Sequence, residues 1–326
     1  MPIRTFTSAL TLAVLVGRSV AAQVDARLLR YPDVSATTIV FTYAGDLWTV
    51  PKTGGLATRL SSPRGEETWP RFSPDGRAVA FTGNYEGNLD VYTMPVTGGE
   101  PVRVTHHPMP DRLQDWYPDG GSLLFASQMR SERARYYQLH RVAPAGGLPN
   151  RLPVKIAEYG AISPDGKTLA FTPYPPMGGS PRDWKGYRGG SAPDIWLFDF
   201  ATSEARNATD SPANDTYPMW RGRTLYFLSD RDARTKYNIW AYDLDRRTVR
   251  QVTKFADDDV TFPAIGPTDI VFQAGGRLYL LDLASETVKE VKVQIVADFA
   301  TLRPRREVVA GLIQNAWLSP TGQRVA

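Results

Sequence analysis

Trp69-Pro70-Arg71-Phe72-Ser73-Pro74-Asp75-Gly76, with Ala78-Val79-Ala80-Phe81 behind it, decides the fold because the phrase returns. It comes back as Tyr159-Gly160-Ala161-Ile162-Ser163-Pro164-Asp165-Gly166, then Thr168-Leu169-Ala170-Phe171. Weaker copies begin at Gln114, Tyr217, Phe262 and Asn315. A recurring unit of about 40–50 residues made of short strands is the signature of stacked supersecondary units, here the blades of a β-propeller. Asp75-Gly76 and Asp165-Gly166 supply the positive φ that a tight hairpin requires.

Each unit follows one grammar. A first strand leads into the turn, and a second strand ends on Phe41, Phe81, Phe125, Phe171, Phe227 or Phe272, spaced 40, 44, 46, 56 and 45 residues apart. A third strand carries a larger side chain, as in Asp46-Leu47-Trp48, Asp194-Ile195-Trp196 and Asn238-Ile239-Trp240. Turns such as Thr53-Gly54-Gly55 and Thr97-Gly98-Gly99 lead to a fourth, more polar strand. The expected fold is all-β: a six-bladed β-propeller with four antiparallel strands per blade, over residues 24–293. The repeated Phe positions should pack between blades, because a lone twisted sheet cannot bury both faces.

The ends read differently. Arg4, the apolar run Ala9-Leu10-Thr11-Leu12-Ala13-Val14-Leu15-Val16 and the small residues Val20-Ala21-Ala22 have the pattern of an export signal over residues 1–22. The expected location is therefore exported, periplasmic or secreted. The apolar run is too short for a permanent membrane span. Residues 294–310 read as a linker containing Arg303-Pro304-Arg305-Arg306. Residues 311–326 repeat the opening strands of a unit and stop at Val325-Ala326, as the truncated start of a second propeller.

Composition excludes several functions. Hydrophobic content of 42% and charged content of 22% fit a globular chain, and a net charge of +4 is too mild for nucleic-acid binding. With no cysteine there is no disulfide, thiolate nucleophile or Cys-ligated metal. There is no Gly-x-Ser-x-Gly elbow, His-Glu-x-x-His helix or phosphate-cradling loop. His106 and His107 lack a fixed third ligand, His140 alternates along a strand, and Asp257-Asp258-Asp259 lacks calcium-loop spacing. No catalytic residue, metal or cofactor is expected.

Strand order puts the short first-to-second hairpins on one face and the longer second-to-third and blade-to-blade loops on the other. Binding residues concentrate on irregular loops, so the second face is the expected working face. It carries Arg130, Arg133 and Arg135, then Arg182, Trp184, Lys185, Tyr187 and Arg188, then Arg231, Arg234 and Lys236, with acids interleaved. Such cations would attract peptide carboxylates.

Trp184-Lys185-Gly186-Tyr187-Arg188-Gly189-Gly190 before Asp194-Ile195-Trp196 resembles the tricorn protease family. So do Leu28-Leu29-Arg30-Tyr31-Pro32-Asp33, Gly45-Asp46-Leu47-Trp48, and the stretches at residues 222–230 and 275–279. The resemblance implies the non-catalytic N-terminal propeller of a serine peptidase that gates or binds peptides for proteolysis. A second propeller, a PDZ-like domain and the protease core would follow. The peptide-contacting candidates are Lys185, Arg188, Trp184, Tyr187 and Arg112. A relative holds a peptide carboxylate with paired arginines before its third blade; here that loop, His106-His107-Pro108-Met109-Pro110-Asp111-Arg112, lacks the pair. Expected partners are peptides or unfolded polypeptides, the later domains of the chain and a possible homo-oligomer, with no nucleic acid. The alternatives are a Tol-associated-type periplasmic scaffold and the propeller of a prolyl-oligopeptidase-like hydrolase.

Overall fold

The computed structural model describes residues 24–62, 65–131, 136–173, 186–296, 306, 308, 310–311 and 315–325. The chain divides into two compact units, Met1–Val296 and Ala297–Ala326. Among the described residues of the first unit there is no helix. Six four-stranded antiparallel sheets follow one another, each continuous in sequence and ordered from inner to outer strand.

Blade one is Arg30–Val34, Thr38–Tyr43, Asp46–Pro51 and Thr58–Arg59. Blade two is Glu66–Phe72, Ala78–Asn84, Asp90–Pro95 and Val102–Arg103. Blade three is Asp111–Trp116, Leu123–Ser127, Gln138–Val142 and Asn150–Arg151. Blade four is Tyr159–Ile162, Thr168–Thr172, Trp196–Asp199 and Ala205–Asn207. Blade five is Asp215–Arg221, Thr224–Ser229, Asn238–Asp243 and Thr248–Gln251. Blade six is Thr261–Ile265, Asp269–Ala274, Arg277–Asp282 and Val288–Val291. The inner strand of each blade packs against the next, and blade six meets blade one. The ring is closed.

The six repeated phenylalanines lie in second strands, all buried, and five of them pack against the preceding blade. Phe81 meets Val40 and Leu47 of blade one, and Phe125 meets Ala80 and Val91 of blade two. Phe171 lies with Leu124 and Leu139, Phe227 with Ala170 and Leu197, and Phe272 with Tyr226 and Ile239. Full burial of such a side chain contributes about 1.5–3 kcal/mol.

Every joint also carries the same main-chain bond. The residue two before Tyr31, Trp69, Leu113, Tyr159, Tyr217 or Phe262 donates to a carbonyl just before the previous blade's third strand. The bonds are Glu67 N to Gly45 O at 2.9 Å, Asp111 N to Leu89 O at 2.7 Å and Ala157 N to Tyr137 O at 3.0 Å. Asp215 N to Pro193 O at 2.7 Å and Val260 N to Tyr237 O at 2.9 Å continue the series. Leu29 N to Gly276 O at 3.4 Å closes it, from blade one back to blade six.

A small second sheet reinforces the closure. Val24–Asp25 pairs antiparallel with Val293–Ile295, which pairs parallel with Gly55–Leu56 beside blade one. Residues 294 and 295, read from sequence as linker, are thus part of the ring. Gly54, at φ +82°, lets this strand approach: a Cβ there would stand 2.6 Å from Lys292 O. In the second unit, Ser319 N bonds to Arg324 O and Gly322 N to Ser319 O, both at 2.8 Å. Ser73 N to Ala78 O and Gly76 N to Ser73 O make the same turn in blade two.

Gly54→Ala should therefore cost about 1–3 kcal/mol, from the left-handed backbone and the clash together. It is read as a drop of several degrees in Tm. Gly190→Ala, with open space around it, should leave Tm unchanged; equal effects would contradict this closure.

Candidate functional site

Four inner strands bulge at an aromatic–proline pair. Tyr31-Pro32, Trp69-Pro70, Tyr217-Pro218 and Phe262-Pro263 lie where the register of blades one, two, five and six shifts. The aromatic residue takes φ of 50°, 55°, 53° and 51° respectively. A bulky residue in this region, and before proline, is strained by about 1–3 kcal/mol. The four rings and Tyr159 of blade four converge on the axis. Tyr31 lies 4.2 Å from Trp69 and 4.5 Å from Phe262, centroid to centroid, and Trp69 lies 5.5 Å from Phe262. Tyr217 lies 4.3 Å from Tyr159, their hydroxyls 3.3 Å apart. Trp69 stacks on Tyr217 at 6.0 Å. Blades two and five are opposite each other, so rings that touch between them occupy the axis. The matching position of blade three is Leu113, buried sideways in a blade core.

Above this floor is a cavity of about 600 Å³ lined by all six inner strands. Its rim includes Ala36, Gly76, Pro118, Pro164 and Pro267, residues of the first-to-second hairpins. The cavity thus lies on the short-hairpin side, opposite the face favoured by loop length alone. Loop length missed it because the lining comes from strand side chains.

Two layers of charge line the cavity. Asp33, Arg71 and Asp115 hold one matched position in blades one to three, facing Ala161, Met219 and Ala264 in blades four to six. Arg71 donates from Nε to Gln114 O at 3.1 Å and from Nη1 to Pro70 O at 3.0 Å. Asp33 Oδ2 accepts from Phe72 N at 2.6 Å, and Asp115 Oδ1 from Trp116 N at 2.7 Å. Beside Leu113, where no ring blocks the way, Arg112 Nη1 donates to Glu158 Oε1 at 3.1 Å. The Arg112 guanidinium also lies 4.7 Å from the centre of the Tyr137 ring. Glu158 Oε2 is buried without a partner. Burial pushes the Asp33 and Glu158 carboxyls up to about 7, against the pull of Arg71 and Arg112 respectively. Burial also raises Asp115.

Of the residues singled out from sequence, Arg112 lines the cavity. Arg188 lies on the other face and is bound to buried Asp230 at 3.0 and 2.9 Å, with Nη2 donating to Asp230 O at 2.8 Å. Tyr187 O accepts from Arg188 Nη1 and Asn214 Nδ2, which holds the loop to blade five. Trp184 and Lys185 lie outside the described residues, as do the leader and Arg133, Arg135 and Arg182. His140 is fully buried against Phe125, Nδ1 on Gln138 O at 3.0 Å, and burial lowers it to about 4. Its position in a blade core pairs it with no nucleophile. Among the described residues, no three His, Cys, Asp or Glu are grouped to hold a metal. No helix among them is long and apolar enough to cross a membrane. The Asp33–Arg71–Asp115 layer and Glu158 were missed from sequence; the recurrent aromatic–proline pair was the available pointer to the axis.

A family profile described as the tricorn protease N-terminal beta propeller domain matches residues 26–287. The chain belongs to the tricorn protease family. Tricorn protease homolog 1 of Streptomyces coelicolor is 30% identical over 258 residues, 78% of this chain and 23% of that protein. The crystal structure of the tricorn protease superposes with a TM-score of 0.72 at 24% identity, over 86% of this chain and 27% of that one. The chain thus spans about a quarter of the length of the tricorn relatives it matches. The structure of putative TolB from Agrobacterium tumefaciens shares the fold, at TM-score 0.51 and 21% identity over 81% of this chain and 80% of that one.

Two measurements test this site. Between the unfolded carboxyl value of about 4 and the folded value near 7, Asp33 and Glu158 bind more protons folded than unfolded, so stability falls as pH rises through that window. Tm should be lower at pH 8 than at pH 5, and Glu158→Gln should shrink the difference. A difference unchanged by Glu158→Gln and by Asp33→Asn would contradict the assignment. Arg188→Ala leaves Asp230 buried without its cation and should cost about 3 kcal/mol; a Tm within error of the parent chain would refute the locking role.

Proposed function

We propose that this chain is the non-catalytic, peptide-handling propeller of a tricorn-type serine peptidase, with bond cleavage carried by later domains. The observation that supports it is the polar cavity on an axis shut by aromatic rings, in a chain of the tricorn family. A pocket of about 600 Å³ suits a few residues of extended peptide, within the usual range of ligand sites. Its wall offers charge on blades one to three and at Glu158 of blade four, and apolar surface at Ala161, Met219 and Ala264. The stacked rings make the axis a gate: a chain entering from the hairpin side stops on them, and passage needs them to part. Arg112 is the proposed contact inside the cavity. The loop of Trp184, Lys185, Tyr187 and Arg188 is proposed as the outer contact on the other face. The leader pattern at residues 1–22 supports export.

Titrating the chain with short unstructured peptides, followed by calorimetry and tryptophan emission, tests the proposal. The expected result is saturable binding with no peptide cleaved. Hydrolysis by the chain itself, or no binding of any peptide, would overturn it.

A further inference from the structure

The sequence led to the expectation that loop cations attract peptide carboxylates. The cavity lining holds more acids than cations. Its two cations each have partners within the protein. Arg112 is paired with Glu158 and stacked on Tyr137, and Arg71 donates to the carbonyls of Gln114 and Pro70. Four acids, Asp33, Asp75, Asp115 and Glu158, stand against those two cations, with Asp75 Oδ1 accepting from Ser73 Oγ and Arg77 N in its own hairpin. Asp33 accepts from the main-chain N–H groups of Phe72 and Val34, and Asp115 from that of Trp116, whereas a carboxylate has about four lone-pair sites. Glu158, 2% exposed, has Oε2 without any partner. A buried acceptor left open costs stability that an incoming N–H donor recovers. The floor is lined by Trp69, Tyr159 and Tyr217, aromatic rings of the kind that attract cations.

We propose that the cavity binds a protonated alkylammonium group of a peptide. Glu158, Asp33 and Asp115 are its acceptors, the rings of Trp69, Tyr159 and Tyr217 its seat, and Ala161, Met219 and Ala264 the wall for the neighbouring side chain. The inference rests on the peptide-handling reading and adds which end or side chain is recognised. Entry of a cation also favours the ionised form of acids that burial holds protonated near neutrality, so binding releases protons.

The test uses one pentapeptide with uncharged side chains in four forms: both ends free, amino-acetylated, carboxy-amidated, and acetylated with one lysine added. Calorimetry in two buffers of different ionisation enthalpy measures affinity and proton release. Acetylation should weaken binding about tenfold or more, the worth of a charge-assisted hydrogen bond, and amidation should leave it within about twofold. Lysine in the acetylated peptide restores affinity if any alkylammonium suffices; no restoration assigns the site to the amino terminus. Glu158→Gln, nearly isosteric, should weaken the free peptide about tenfold with the fold intact by Tm. Asp33→Asn serves in its place should Glu158→Gln fail to fold. If acetylated and free peptides bind alike, or amidation is what weakens binding, the ammonium proposal fails while peptide handling stands. If no form binds, both fail. If both variants bind the free peptide normally, the acceptor assignment fails.

Discussion

One hydrogen bond, repeated at each joint of the ring, underlies the rest of the structure. A main-chain N–H at the head of each inner strand reaches a carbonyl just before the previous blade's third strand, from Glu67 to Gly45 around to Leu29 and Gly276. It fixes the offset between neighbouring sheets. With the offset fixed, Phe81, Phe125, Phe171, Phe227 and Phe272 fall against the blades before them, which covers the faces those blades turn to the next. A twisted sheet left alone would expose such a face. The bond depends on no side chain, so the joints tolerate Glu67, Asp111, Ala157, Asp215, Val260 and Leu29 alike at the donor position.

The same offset sets what lies on the axis. Six inner strands held this way place one matched residue from each blade near the centre. Five are aromatic, and their packing supports the left-handed backbone that four of them adopt. Blade three departs from the pattern. Leu113 turns into the core, and the opening gives the cavity access to Arg112 and Glu158. A cup with a polar wall and an aromatic floor follows from one irregular blade in an otherwise regular ring.

The parts legible in the sequence were those governed by local chemistry. Asp75-Gly76 and Asp165-Gly166 dictate their turns, and the spacing of Phe41 to Phe272 marks six sheets. The recurring grammar assigned strands correctly even where blade four carries its long insertion. Arg112 reads from sequence as a peptide-contacting candidate but not as the partner of Glu158, which is 46 residues away in sequence and on the next blade. Asp33, Arg71 and Asp115 share a layer only because three bulged strands bring matched positions together, and no spacing rule reveals that. The cation-rich loop reads from sequence as a binding element, and its internal pairing is not legible there. At Arg188 the charge meets Asp230, whose neighbour Arg231 pairs with Asp215. Counting cations on a loop cannot tell a free charge from one spent on a buried acid.

Contact across the axis between Trp69 and Tyr217 is the most direct consequence of this packing. Proton NMR on the chain with labelled tryptophan and tyrosine rings measures it, with Trp69→Phe and Tyr217→Phe used for assignment. The account requires a nuclear Overhauser cross-peak between the Trp69 indole and the Tyr217 ring, alongside the one between Trp69 and Tyr31. Seeing the Tyr31 peak without the Tyr217 peak would mean that the axis is open, and would contradict the account.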